Sequence, residues 1–198
     1  MKDLVLSCFE PFGNDEINSS AIVSAMIPEC CGNVRVTKTI LPVVYKKSYE
    51  ILYELISEVK PDFVICMGQA GGRKKISIEK IAVNINNSTS SDNKGKVFCD
   101  EIIISDGGLA YAASLPVLKM LQACNSEFAE ISYSAGTFVC NDLFYRMLYN
   151  ECKSKEKHHT GFLHLPYTEH FSKMPFIESN KQAEAIMAMI AALGEDNG

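Results

Sequence analysis

No apolar run in this sequence comes near the ~18 residues that a membrane-crossing helix requires, so no bilayer span is expected. Basic residues are not in excess: 19 Lys+Arg stand against 24 Asp+Glu, for a net charge of −5. Such a chain has no electrostatic pull toward phosphate backbones, and nucleic-acid binding is not expected. The start, Met1-Lys2-Asp3-Leu4-Val5-Leu6-Ser7-Cys8, has an acidic third residue and a very short apolar stretch. It does not fit a secretion signal and reads instead as a first β-strand. The eight cysteines, at 8, 30, 31, 66, 99, 124, 140 and 152, include no Cys-x-x-Cys pair. Zinc-ribbon and thioredoxin spacings are therefore absent. With no export signal, the expectation is a cytoplasmic protein with free thiols. No internal repeat or low-complexity block is visible. Histidines are few, at 158, 159, 164 and 170, so any imidazole chemistry falls to one of these four.

What is present is a sizeable core. Of 198 residues, 47% are hydrophobic, and a domain of this length buries roughly 70% of the surface its unfolded chain exposes. A single domain over 1–198 is the expectation. Strand-like and helix-like segments alternate. Leu4–Cys8 is an apolar strand. Ser19–Ile27 suits a short helix capped by Asn18 or Ser19. Val34–Leu41 alternates with period two and is rich in β-branched residues. Lys46–Val59 places Tyr49, Leu52, Ile56 and Val59 on one helical face, and Lys60-Pro61-Asp62 ends it. Phe63–Met67 is a continuous apolar run, as in a strand covered on both faces. Ile76–Ile85 alternates, and the polar segment Asn86–Lys96 reads as a mobile loop. Helices follow at Pro116–Cys124, Cys140–Asn150 and Ser179–Leu193, with short strands at Glu130–Tyr133 and Gly161–Leu165. Ala183, Ile186, Met187 and Ile190 form the stripe of the last helix. This alternation predicts an α/β fold: a three-layer α/β/α sandwich, its mostly parallel central sheet covered by helices on both faces. Sites in such sheets form outside the carboxyl ends of the strands.

Ser134-Ala135-Gly136-Thr137-Phe138-Val139-Cys140-Asn141-Asp142 runs from a Gly-containing turn into a helix that begins near Cys140. A thiol there feels the positive end of the helix dipole, which favours its thiolate. The unpaired N–H groups of a first turn can also hold an oxyanion. Cys140 is thus a candidate nucleophile, with a buried structural cysteine as the alternative. A nucleophilic thiol needs a base. His158 and His159 sit in the charged stretch 153–159 and read as solvated loop, and His170 reads as surface. His164 closes an apolar strand, where it is either a catalytic base or a core histidine. Glu79 lies within an alternating strand and either faces solvent or orients an imidazole. Gly68-Gln69-Ala70-Gly71-Gly72-Arg73 is Gly-rich but lacks the GK[ST] ending of a phosphate loop.

Together these segments resemble the pyroglutamyl peptidase I family of cysteine peptidases. The resemblance is carried by Phe9-Glu10-Pro11-Phe12-Gly13, by GQAGGR with ISIEKIAVN, by SAGTFVCN and by GFLHLPY. Leu41-Pro42-Val43 and Leu115-Pro116-Val117 add to it, in the same order along nearly the whole chain. It implies an open α/β/α sandwich and removal of an N-terminal pyroglutamyl (5-oxoproline) residue from peptides, with no cofactor and no metal. It also implies a homo-oligomer, dimeric or tetrameric. The implied triad is Cys140 as nucleophile, His164 as general base and acid, and Glu79 as orienter. The implied lactam pocket is formed by Phe9, Phe12, Gln69, Phe138 and Val139.

One segment departs from the family pattern. Where the family runs Asp-Ala-Arg-Ile-Pro-Asp-Asn, this chain has Asn87-Ser88-Thr89-Ser90-Ser91-Asp92-Asn93. Thr89 replaces an arginine near the family's site. Arg73 is the nominee for a substitute, its default role being a surface charge. Asn18-Ser19-Ser20 also lacks the family's proline. The alternative to an active enzyme is a non-catalytic or weakly active paralogue that binds N-terminally blocked peptides or a related lactam. A thiol redox protein would need a resolving-cysteine motif that the chain lacks.

Overall fold

The computed structural model describes residues 1–154 and 158–195. Among them are nine strands and five α-helices. The strands are β1 (Lys2–Phe9), β2 (Cys30–Cys31), β3 (Val34–Leu41), β4 (Phe63–Gln69), β5 (Ile76–Glu79), β6 (Ile81–Val83), β7 (Ala110–Ala112), β8 (Ala129–Ser132) and β9 (His159–Leu165). The helices are α1 (Ser19–Met26), α2 (Lys47–Val59), α3 (Val117–Ala123), α4 (Val139–Lys153) and α5 (Ser179–Leu193). Seven strands form one sheet in the order β2-β3-β1-β4-β9-β5-β8, and β6 and β7 form a separate two-stranded pair.

The expected sandwich is what the chain builds. Helices α1, α3 and α5 pack together on one face, and α2 and α4 pack on the other. The central strands β1, β4 and β9 are parallel neighbours. Leu4 to Leu6 and Val64 to Met67 are fully buried because both faces are covered. Leu52 and Ile56 bury the inner stripe of α2, and Ala183, Ile186 and Ile190 that of α5, while Met187 is only partly covered. Asn18 caps α1 by accepting from Ser20 N–H at 2.9 Å.

Two local departures matter for the site. The alternation of Ile76–Ile85 suggests one strand, but the chain leaves the large sheet at Lys80, and β6 joins β7 instead. Strand β5 also runs antiparallel to β9, with Ser77 opposite His164 and Glu79 opposite Phe162. The sheet is therefore mixed at this end. His158 corrects a further expectation. It is 4% exposed and lies just before β9, so it is not in a solvated loop, whereas His159 is exposed. Residues 155–157 of that charged stretch lie outside the described residues.

Candidate active site

Strands β1, β4 and β9 end side by side. Their carboxyl ends deliver Phe9, Gln69 and His164 to one cavity, and α4 brings Cys140 to it from the other side. The cavity spans about 450 Å³, part of it open to solvent. Phe12, Asn18, Val43, Ala135 and Phe138 complete its lining. Phe12 lies in the loop after β1, with its ring 6.3 Å from that of Phe138.

The position of Cys140 rests on a glycine at each end of the approach. Gly136 adopts φ +75°, a conformation that side-chain-bearing residues rarely take, and turns the chain into α4. Cys140 is then the second residue of that helix. The first-turn N–H groups have no intrahelical acceptor and face the end where an oxyanion would form. Gly68 leaves the room in which the thiol sits: a Cβ there would lie 2.7 Å from Cys140 Sγ and 3.1 Å from the Phe162 ring.

His164 is 4% exposed, and its Nδ1 lies 2.7 Å from Glu79 Oε1. A carboxylate only accepts, so Nδ1 carries the proton and Nε2 keeps its lone pair. Diagonal placement across the antiparallel β5–β9 pair puts these side chains together. Glu79 is fully buried, which answers the question the alternation left open. The same Oε1 lies 2.8 Å from Arg73 Nη1. Arg73 also donates to Ser132 Oγ at 3.2 Å and to the Ser134 carbonyl at 3.0 Å. It is thus no ordinary surface charge.

Burial pushes the Cys140 thiol up to about 12, with the neighbouring Cys66 and Glu79 adding to the effect. Arg73 and the residue's own N–H act the other way and are outweighed. Burial likewise holds His164 below the ordinary imidazole value, against the pull of Glu79. Both shifts favour the uncharged forms, a thiol and a neutral imidazole. Burial thus works against the helix N-terminus, which favours the thiolate. No hydrogen bond joins Cys140 Sγ to His164 among the described residues, and the two meet as walls of one cavity. What the arrangement can do is pass the thiol proton to Nε2 as sulfur attacks a bound carbonyl.

The family model for pyroglutamyl peptidase matches residues 1–193. The chain belongs to the pyroglutamyl peptidase family. It is 42% identical over 166 residues to the pyrrolidone-carboxylate peptidase of Thermosipho africanus, spanning 83% of this chain and 81% of that protein. The enzyme of the same name from Brachyspira hyodysenteriae is 43% identical over 169 residues, 84% of each. The crystal structure of pyroglutamyl peptidase I from Bacillus amyloliquefaciens superposes with a TM-score of 0.93 at 31% identity, covering 98% of this chain and 96% of that one. Pyrrolidone carboxyl peptidase from Thermococcus litoralis gives 0.89 at 33%, covering 97% and 93%.

Within this pyroglutamyl peptidase fold, the residues named from sequence are placed unevenly. Phe12 and Phe138 line the cavity and are partly buried. Phe9 lines it too, yet at 2% exposure it is also core. Val139 is fully buried within the core and is not a lining residue. Its side chain turns inward from the first turn of α4. The amide of Gln69 is already engaged: Oε1 accepts from Ser19 N–H at 2.8 Å, and Nε2 donates to Asp15 Oδ2 at 3.0 Å. It braces the loop that carries Phe12. Asn18, Val43 and Ala135 were missed as lining residues. Val43 and Ala135 lie within motifs that were read and Asn18 was read as a cap, but their small or capping side chains carried no chemical signal.

The 86–97 segment was expected to be mobile because it has no apolar anchor. It has polar anchors instead. Asp92 is 4% exposed and accepts from the N–H groups of Tyr45, Lys94 and Lys96 at 3.2, 2.9 and 2.9 Å. Asn93 Nδ2 donates to Glu10 Oε1 and to the Pro11 carbonyl. Asn87 and Thr137 exchange hydrogen bonds through Asn87 N–H at 2.9 Å and Thr137 Oγ1 at 2.6 Å. The loop therefore ties the Phe12 turn to the turn before Cys140. Thr89 lies exposed between Ser88 and Ser90, whose own hydrogen bonds close the tip.

Proposed function

We propose that this chain hydrolyses the amide bond after an N-terminal pyroglutamyl residue through an acyl-enzyme on Cys140. The observation that carries the reading is a Glu79-oriented His164 sharing one mostly apolar cavity with a helix-terminal cysteine. The lactam ring has an apolar body and one amide, which suits walls of Phe9, Phe12, Val43, Ala135 and Phe138 with few polar groups between them. A peptide with a charged N-terminus would have to desolvate that charge against those rings.

The steps follow from the charge states. Substrate enters a site in which burial favours the neutral thiol and the neutral imidazole. His164 Nε2 takes the Cys140 proton as sulfur attacks the pyroglutamyl carbonyl carbon, and first-turn N–H groups of α4 receive the oxyanion. The imidazolium formed is stabilised by Glu79 at 2.7 Å. It gives the proton to the leaving amine, the C–N bond breaks, and the thioester remains. His164 then takes a proton from water, which attacks the thioester and frees pyroglutamate. Phe12 and Phe138 are proposed to sandwich the ring, with Phe9 as floor. Val139 is proposed to contribute its backbone rather than its side chain, and Gln69 to act through the loop it braces.

We also propose a reducing cytoplasm and a homo-oligomer. Support for the first is eight unpaired cysteines. Support for the second is the exposure of Ile102 and Leu109, at 68% and 91%. No described helix is long and apolar enough to cross a membrane. The test of activity is release of fluorophore from a pyroglutamyl-linked amide, with and without a thiol alkylator. Turnover abolished by the alkylator is expected, and no turnover from folded protein refutes the proposal.

A further inference from the structure

Glu79 raises a question that the triad alone leaves unanswered. Its carboxylate is fully buried, and Oε2 has no hydrogen-bond partner. A neutral imidazole N–H is a thin return for taking a carboxylate out of water. Oε1 carries both remaining contacts, His164 Nδ1 at 2.7 Å and Arg73 Nη1 at 2.8 Å. Arg73 belongs to the turn between β4 and β5, and its side chain is 28% exposed, so its charge keeps water on one side. Its other contacts, Ser132 Oγ and the Ser134 carbonyl, lie at the end of β8 and in the segment leading to Cys140. One guanidinium thus joins the orienting carboxylate to the chain that carries the nucleophile.

We infer that Arg73 is a positioning residue: it supplies the counter-charge of buried Glu79, turns Oε1 toward His164, and fixes the Cys140 approach loop to both. The inference rests on the proposed peptidase activity. A planar guanidinium spreads its donors over separate nitrogens in a fixed fork, here Nη1 to Glu79 and Ser132 and Nη2 to the Ser134 carbonyl, whereas an ammonium offers its donors from one point. The titratable groups acting on His164 are Glu79 from β5 and Arg73 from its turn; Cys140 from α4 lines the same cavity and has Cys66 of β4 and Tyr45, just before α2, beside it. Arg73 is the cation of this set. Without it, Glu79 would act on His164 uncompensated, so imidazolium would form at higher pH. The base must be neutral to accept the thiol proton, so activity would be lost at a higher pH.

The test is the pH profile of kcat/KM on a pyroglutamyl amide for native protein, Arg73→Met and Arg73→Lys, beside their thermal midpoints. In Arg73→Met the acid limb is expected to rise by about one pH unit, with a plateau at least about tenfold lower. In Arg73→Lys the limb is expected to stay near the native one while the plateau falls about tenfold. A merely structural Arg73 would lower the thermal midpoint and leave the limb in place, and an unmoved limb in Arg73→Met overturns the inference. If Arg73→Met does not fold, a native plateau in Arg73→Lys overturns it instead. Folded native protein without turnover overturns the activity itself, and this inference with it.

Discussion

Adding one methyl group at Gly68 should disable the enzyme more than it destabilises the fold. The Cβ of Gly68→Ala would lie 2.7 Å from Cys140 Sγ, with Phe162 ring atoms at 3.1 and 3.2 Å. Carbon–sulfur contact needs substantially more room, so something must shift by an appreciable fraction of an ångström. Phe162 is held by Phe144, at 5.7 Å between ring centroids, and by the sheet, so the thiol yields first. A nucleophile displaced by ~1 Å loses about 10²-fold in rate. The stability cost of one extra methyl in a packed site is about 1–3 kcal/mol. Gly161→Ala is the control. Its Cβ would press on Leu115 Cδ1 at 2.6 Å, in the same β9 strand as His164 but against a different neighbour. Both variants should lose thermal stability to a similar extent. Only Gly68→Ala should lose about two orders of magnitude in kcat on a pyroglutamyl amide. Gly68→Ala with native kcat, or equal loss of kcat in both variants, would refute the reasoning.

Further outcomes are expected. Alkylation of Cys140 without substrate by a small neutral reagent, followed site by site by mass spectrometry, should rise about tenfold per pH unit between pH ~6 and ~9, because burial pushes the Cys140 thiol up to about 12. A plateau across that range would mean a resting thiolate–imidazolium pair instead. The acid limb of native kcat/KM should fall below the ordinary imidazole value of ~6.5, because burial lowers His164 and the base works only when neutral; a limb above that value contradicts the reading. Phe12→Ala should raise KM more than it lowers the thermal midpoint, whereas Phe9→Ala, at 2% exposure, should cost about 3–5 kcal/mol of stability; the reverse ranking would make Phe12 a core residue. Thr89→Arg should raise kcat, by up to ~10²-fold if the arginine polarises the site, with stability changed by less than about 0.5 kcal/mol because Thr89 is exposed. An unchanged kcat would show that the arginine is dispensable here.

The sandwich was legible because its signals are local. Continuous apolar runs marked the central strands, and the 3.6-residue stripes of α2 and α5 marked the two helical layers. The site was legible in part for the same reason: Cys140 and His164 both sit where a helix begins or a strand ends. Glu79 was legible as a carboxylate on a strand, but its burial was not, because alternation continues unbroken through Lys80 while the chain changes sheet there. The antiparallel run of β5 against β9 is a pairing choice that no residue of β5 announces. Arg73 was nominated as a substitute for the missing arginine, but its default reading as a surface charge missed its link to Glu79 for a similar reason. Its partner Glu79 lies six positions on in sequence, across a turn whose shape the glycines permit but do not specify. In the 86–97 segment, a lack of apolar residues was read as looseness. The fault was chemical: Asp92 followed by Asn93-Lys94-Gly95 is an acceptor set to gather the N–H groups of its own turn, and that signal was in the sequence.

The central claim is that one thiol performs the hydrolysis. Its most direct test compares native protein and Cys140→Ser, both shown to be folded, for fluorophore release from the same pyroglutamyl amide at neutral pH. The account predicts steady turnover by the native protein and a loss of at least ~10³-fold in the variant, since a hydroxyl is the far poorer nucleophile in a site built for sulfur. Hydrolysis by Cys140→Ser within about tenfold of native would contradict it.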